Sequence, residues 1–314
     1  MTADERRRVI PVAIRAALAS VAMALFLLGL KGWAAYSTGS VAMLGSLADT
    51  GLDLLASLVT LYGVKVAAEP ADHDHRFGHG KAEALAALFQ VALITLSAVG
   101  IAWRAILALG DKAAPAQAEF GIGVSIVAIL ATFVLLAYQR SAIRRTGSVA
   151  IMADKVHYQS DLFLNLSVIA AILLERFGVR GADPVFGILI ALWLAWGAFQ
   201  ASSNAIDQLM DKEWPEEERK RFIEVAARQE GLRGIHDFRT RRSGSHNFAQ
   251  FHMEVPRDIT VAQAHDIVER VEKALHGAFP KVEVLIHLDP EGHVDTDNPL
   301  VEADVTPHWF GKRV

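Results

Sequence analysis

Six apolar runs fill the first two thirds of this chain, at about Val12 to Ala35, Ser40 to Ala67, Ala82 to Leu109, Phe120 to Ala142, Ser148 to Leu174 and Pro184 to Ile206. Each is close to or above the roughly 20 residues that a helix needs to cross a bilayer. Hydrocarbon offers no water to the backbone, so every N–H and C=O must be satisfied internally, and runs of this length are expected to be α-helices. Hydrophobic residues make up 52% of the 314, with a mean hydropathy of +0.28, which is more apolar side chain than one soluble core uses. From Asp211 onward the character changes to that of a charged soluble domain. The expected organisation is a six-helix transmembrane domain over 1–210, a cytosolic α+β domain over 211–290 and a tail over 291–314.

Arg6, Arg7 and Arg8 precede the first run in the manner of a signal peptide, but the run is too long for one. Lys and Arg in the short connections set the orientation. Arg6 to Arg8, Arg76 and Lys81, and Arg140, Arg144 and Arg145 fall on one side of a six-span arrangement, which is therefore cytoplasmic. The opposite connections are poorer in cations, although Lys112, Arg176 and Arg180 reduce the contrast. Both termini are expected in the cytoplasm. In the soluble third, helices are predicted at Glu216 to Gln229 and Thr260 to Leu275, and strands at Ile235 to Arg242, Asn247 to Val255 and Lys281 to Leu288. That order suggests a small open sandwich with helices on one face of the sheet.

Within the apolar runs, His157 and Asp161 stand four residues apart, as do Asp49 and Asp53 in SLADTGLDLLASLV. In a helix this spacing stacks the pair on one face. A charged residue at mid-membrane costs about 2.5 to 3.5 kcal/mol, so three aspartates would be a standing penalty unless something binds there. Pairing with a cation of another span is the alternative, but Arg15, Lys31 and Arg104 lie nearer the ends of their runs. A divalent cation held by Asp49, Asp53, His157 and Asp161 is the preferred reading. The chain has no cysteine, so any metal must use nitrogen and oxygen. One imidazole among carboxylates suits tetrahedral Zn2+, and such a set also accepts Cd2+, Fe2+, Co2+ or Mn2+. Carboxylate repulsion and an imidazole that titrates near neutrality would let the emptied site take up protons, so metal and proton compete.

Other readings fare less well. Asp49-Thr50-Gly51 spells the triplet of aspartic proteases but lies in an apolar helix without a second motif, and HExxH is absent. A metal-dependent intramembrane hydrolase would need an open ligand position and a general base. A net charge of −4 and a pI near 6.3 give no reason to expect nucleic acid as a partner. In EPADHDHRFGHGKAE, His75 and His79 at four-residue spacing with a nearby aspartate could close a metal site, and spacing leaves open which of Asp72, His73, Asp74, His75 and His79 take part. His236, His252, His265, His287 and Asp289 fall at or near element ends of the soluble third, with His287 and Asp289 on one face of a strand. As a set they suggest further metal binding, which also admits a membrane-anchored metal sensor.

The motifs SLADTGLDLLASLV, PADHDHRFGHGKAEALAAL, HYQSDLFLN, GIHDFRTRRSG and IHLDP together resemble the cation diffusion facilitator family, in its bacterial zinc and ferrous-iron exporter branch, over about residues 10 to 290. The resemblance implies six transmembrane helices, a ferredoxin-like, metallochaperone-like cytosolic domain, a homodimer in the cell inner membrane, and no enzymatic activity. It implies export of a divalent metal, Zn2+ foremost, in exchange for protons by alternating access. It also implies a transport site of Asp49, Asp53, His157 and Asp161, a loop site of Asp72, His75 and His79, and a paired-metal cytosolic site of His236, His252, His265, His287 and Asp289. Lys81, Asp211 and Arg241 match positions that form a charge interlock between protomers.

Overall fold

The computed structural model describes residues 3–38, 41–109, 118–177 and 182–293. Lys112, Arg180 and the tail beyond residue 293 lie outside the described residues. The chain separates into two compact units, one formed by Val9–Asp207 and the other containing the chain from Gln208 onward.

The first unit is built from α1 (Ala3–Thr38), α2 (Val41–Ala67), α3 (Ala82–Ala108), α4 (Ala118–Thr146), α5 (Val149–Arg176) and α6 (Ala182–Leu209). Each expected run is helical. Among the described residues, five of these helices hold a stretch long and apolar enough to cross a membrane, by length and composition alone. Helix α5 carries Asp154, Lys155, His157, Gln159 and Asp161 in its first half. Helix α5 packs against α2, α3 and α4, and Asp154, His157, Tyr158 and Ser160 are buried there. Its polar groups therefore face protein. The other helices keep large apolar side chains on their outer faces, among them Leu96, Phe133, Val134, Leu192 and Phe199, as a lipid-facing surface requires.

Small residues let the helices approach closely. A side chain at Gly63 of α2 would collide with Ala86 of α3, and a Cβ at Gly197 of α6 would stand 2.8 Å from Val156 of α5. At Gly187 of α6 the corresponding distance to Ala105 of α3 is 2.9 Å.

The second unit has α7 (Glu216–Ala227), β1 (Gly234–Ser243), β2 (His246–Val255), α8 (Val261–Ala278) and β3 (Val282–Pro290), in the order read from the sequence. The sheet order is β1-β2-β3, with β1 antiparallel and β3 parallel to β2. The parallel pair needs a crossover, and α8 supplies it. Thr260 caps α8 in a reciprocal capping box with Gln263. Along β2, Ala249, Phe251, Met253 and Val255 are buried, while Gln250, His252 and Glu254 take the other face. The buried face meets Phe222 and Ile223 of α7 and Ile267, Val271 and Leu275 of α8. Strand β3 runs two residues past the predicted Leu288 because Asp289 and Pro290 stay in register with Glu254 and Val255.

One irregularity bears on function. The β1–β2 register shifts between His236 and Arg239, and Asp237 has a positive φ of 47°. The bulge re-aims the side chains around it.

Phe222 is 1% exposed and sits among Trp214, Phe238, Phe251 and Phe279. Phe222→Ala is expected to destabilise this unit by about 3 to 5 kcal/mol. Chemical denaturation followed by Trp214 fluorescence checks it, and a loss below about 1 kcal/mol would contradict the packing described.

Candidate metal centres

Among the described residues three groups bring carboxylate and imidazole ligand atoms within 4.8 Å of one another: Asp53, His157 and Asp161; Asp72, His75 and His79; and His236, His252 and Asp289. The first is built by two helices. Four-residue spacing on α5 puts His157 and Asp161 on one face, and α2 brings Asp53 to meet them. His157 Nε2 lies 3.0 Å from Asp53 Oδ1 and 3.8 Å from Asp161 Oδ2. His157 Nε2 makes no hydrogen bond of good geometry: Asp161 Oδ2 is out of hydrogen-bond reach, and Asp53 Oδ1 stands beside it as an ion-pair contact. Donors bound at about 2.0 to 2.2 Å in a tetrahedron stand about 3.3 Å apart, which the observed pair brackets.

The arrangement is braced from the next residue. Tyr158 Oη donates to the Ser20 carbonyl of α1 at 2.8 Å and lies 3.0 Å from Ser57 Oγ of α2. This fixes the rotation of α5. Asp49, one turn before Asp53, is exposed and outside the converging group. Beside it, Lys31 Nζ donates to Thr50 Oγ1 at 2.7 Å, so a cation from α1 reaches the start of the α2 stripe despite its place near the end of its run.

The second group lies in the α2–α3 connection. Asp72 Oδ1 accepts from the backbone N–H of His75 at 2.6 Å and of Asp74 at 2.9 Å, an Asx turn that fixes the carboxylate. His79 Nε2 is 3.3 Å from Asp72 Oδ2 and His75 Nδ1 is 3.6 Å from Asp72 Oδ1. His73 and Asp74, open as ligands on spacing, lie outside the group. The His75 N–H bond, with that of Asp74 and the two nearby imidazoles, holds the Asp72 carboxyl below its ordinary value against a smaller opposing effect of desolvation.

The third group spans the sheet. His236 on β1 pairs with His252 on β2, and His252 with His287 on β3, so strand register alone lines up three imidazoles. Asp289 is buried at the end of β3, with Oδ2 2.8 Å from His252 Nδ1 and 3.4 Å from His236 Nε2, and Oδ1 3.5 Å from His287 Nε2. His236 Nε2 has no hydrogen-bond partner. His265 is not brought to this cluster; on α8 it lies 3.5 Å from Glu269, one turn away. The bulge turns Asp237 so that its Oδ2 stands 3.6 Å from His252 Nε2, while Arg239 donates to both its oxygens. Asp237 escaped the sequence reading because its neighbour His236 should face the opposite way in a regular strand. Arg241 Nη1 is 3.8 Å from Asp211 Oδ1, with its guanidinium over Phe248; Lys81 stands immediately before α3 in the other unit.

Residues 17–210 match the cation efflux transmembrane domain, and residues 214–291 match the cytoplasmic domain of cation efflux proteins. The cation-efflux pump FieF of Yersinia pestis (strain Pestoides F) is 40% identical over 275 residues, covering 88% of this chain and 92% of the pump. FieF of Yersinia pseudotuberculosis serotype O:3 (strain YPIII) shows the same figures. Among solved structures, the zinc form of CzrB is 35% identical over 27% of this chain and 98% of its own, with a TM-score of 0.25. The metal-bound C-terminal domain of CzcD from Thermotoga maritima is 26% identical over 26% of this chain and 100% of its own, also with a TM-score of 0.25.

A carboxyl held low by bonds that are stronger to its ionised form keeps that stabilisation fully above the ordinary value and loses it as pH falls through the depressed one. The Asp72 side-chain carbon, followed by NMR, is therefore expected to titrate below 3.8 in the metal-free protein. A midpoint at or above that value would contradict the Asx turn.

Proposed function

The chain belongs to the cation efflux, or cation diffusion facilitator, family, and from that premise we propose that it is a proton-coupled exporter of a divalent metal, with Zn2+ as the cargo that its ligands favour. Members of this family are transporters and not enzymes, and the chain is a cation efflux transporter of the FieF type. The observation that carries the finer reading is His157 Nε2, buried and without a hydrogen-bond partner, between carboxylate oxygens of Asp53 and Asp161. A buried imidazole nitrogen facing two carboxylates is what a cation held between them would leave.

In the proposed cycle the ion enters from the cytosol when this group is open inward, and Asp49 joins as fourth ligand as α2 adjusts. Metal ligands must be free of protons, so loading expels them and unloading on the far side lets them return. This gives antiport by alternating access, with α5 as the sixth membrane crossing. The transmembrane domain ends at about residue 210, the cytosolic domain spans 211–290, and both termini are cytoplasmic. A homodimer in the inner membrane is supported by the match to the cytoplasmic domain. Asp72, His75 and His79 would bind a second ion. His236, His252, His287 and Asp289 would bind further ions that stiffen the cytosolic domain, and His265 would join that set only by turning away from Glu269. Lys81, Asp211 and Arg241 would interlock protomers. One nitrogen among oxygens separates Zn2+ from Mn2+ by tendency, so Fe2+, Cd2+ and Mn2+ are alternative cargos to be compared directly.

Reconstituted protein is expected to drive zinc across vesicles loaded with a zinc-sensitive dye under a pH gradient, and Asp53→Ala and Asp161→Ala should each lower that flux by at least about tenfold. Undiminished flux in both would overturn the transport-site assignment. Loss of flux on His252→Ala alone, with Asp53→Ala unaffected, would favour a metal-sensing role for the cytosolic domain instead. His157→Asp, which makes the donor set all oxygen, is expected to raise manganese or cadmium transport relative to zinc; an identical metal preference would refute the tuning role of the imidazole.

A further inference from the structure

The helical unit encloses another carboxylate, which the transport cycle above does not use. Asp154 of α5 is 0% exposed. Gln90 Nε2 of α3 donates to its Oδ1 at 3.1 Å, and Gln139 Nε2 of α4 donates to its Oδ2 at 2.8 Å. Gln139 Nε2 also donates to Ser20 Oγ of α1 at 3.0 Å, so the cluster ties four helices together. No Lys or Arg among the described residues forms an ion pair with Asp154. Both glutamines are buried as well, yet the carbonyl oxygens Gln90 Oε1 and Gln139 Oε1 have no hydrogen-bond partner.

Two idle acceptors beside a buried carboxyl have a definite chemistry. As drawn by the structure, the amides present N–H groups, which suit the ionised carboxylate. If one amide turns over, its oxygen faces Asp154 and can accept only from a protonated carboxyl. The cluster is thus matched to both protonation states, at the cost of one amide rotation. Neutral donors alone leave a buried negative charge uncompensated, so the charge must depend on what lies nearby.

Position supplies that dependence. Asp154, His157, Tyr158 and Asp161 follow one stripe of α5 at spacings of three, one and three residues. Among the described residues, the titratable groups that interact with Asp154 are His157, Tyr158 and Asp161 of its own helix and Asp53 of α2, while α1, α3 and α4 bring Ser20, Gln90 and Gln139 to it. A dication seated on Asp53, His157 and Asp161 favours an ionised Asp154. When it leaves, the two positive charges of the ion are replaced by at most one, on a protonated His157, against the same carboxylates, and the loss favours the neutral form.

We propose that Asp154, cradled by Gln90 and Gln139, is a proton-binding site that unloads when metal occupies Asp53, His157 and Asp161 and reloads when the metal leaves. This rests on the reading of those three residues as the transport site. On metal loading the carboxyl O–H bond breaks, the electron pair stays on the Asp154 oxygen, the proton passes to water, and both amides present N–H. On unloading, hydronium returns the proton and one amide turns to accept it. Asp154 is not a metal ligand; its proton adds to those displaced from the ligands themselves.

The test uses the full chain in detergent, with the other two metal groups disabled by His79→Ala and His252→Ala, and counts protons released per zinc bound with a pH indicator between about pH 6 and 8. Asp154→Asn keeps size and amide contacts but cannot hold the proton. It is expected to bind the same amount of zinc while releasing up to one proton fewer per ion, with a correspondingly shallower dependence of affinity on pH. An unchanged proton count overturns the proposal, as does an altered affinity with the same count, which is what a packing role would give. Asp53→Ala in the same background is the control: if it still binds zinc, the transport-site reading has failed, and if it does not while Asp154→Asn releases the full count, only the present inference has. Should Asp154→Asn not fold, Gln139→Leu removes a donor from the ionised form and is expected to move the midpoint of proton release to higher pH; an unmoved midpoint overturns the proposal equally.

Discussion

Imidazole and carboxylate groups enclosed in an apolar helical unit cannot borrow solvation from water, and the first unit is arranged around that constraint. Helix α5 carries most of the polar load, and α2, α3 and α4 pack around it so that Asp154 and His157 face protein. The neighbouring helices return what burial removes. Tyr158 is tied to Ser20 and Ser57, and Asp154 to Gln90 and Gln139. What they do not return is a hydrogen bond for His157 Nε2. On the proposed reading, this buried nitrogen beside two carboxylates is where a cation would bind.

The three ligand groups reach similar geometry by different local means. In the helical unit, four-residue spacing stacks ligands along one helix and a second helix supplies the rest. In the connection after α2, an Asx turn fixes Asp72 so that two histidines four residues apart close on it. In the second unit, strand register lines up His236, His252 and His287, and Asp289 joins them at the end of β3. Each group is set by backbone periodicity, with few free side-chain torsions. Such preorganisation lowers the cost of binding. It also separates their stabilities: the helical group depends on packing, the loop group on two backbone N–H bonds, and the sheet group on the ladder.

Much of this was legible from periodicity. Runs of apolar residues marked six helices, alternation in Asn247–Val255 marked β2, and Thr260 marked the start of α8. Four-residue spacing singled out Asp49, Asp53, His157 and Asp161, of which the structure brings the last three together. What was not legible needs three-dimensional neighbours. Nothing local says that Asp49 stays outside the converging group, or that His265 turns to Glu269. The bulge that re-aims Asp237 arises from β1–β2 register, which a single strand does not encode. Asp154 is the instructive miss, since its three-residue offset from His157 puts it on the same stripe. Its partners Gln90 and Gln139, though, are 64 and 15 residues away.

The central claim is that Asp53, His157 and Asp161 together hold a divalent cation, and anomalous scattering at the zinc absorption edge, from crystals of the full chain grown with zinc, tests it most directly. The account predicts a peak about 2.0 to 2.2 Å from His157 Nε2 and from one oxygen each of Asp53 and Asp161, with Asp49 or water completing the tetrahedron. Peaks at Asp72 or Asp289 with none beside His157 would contradict it.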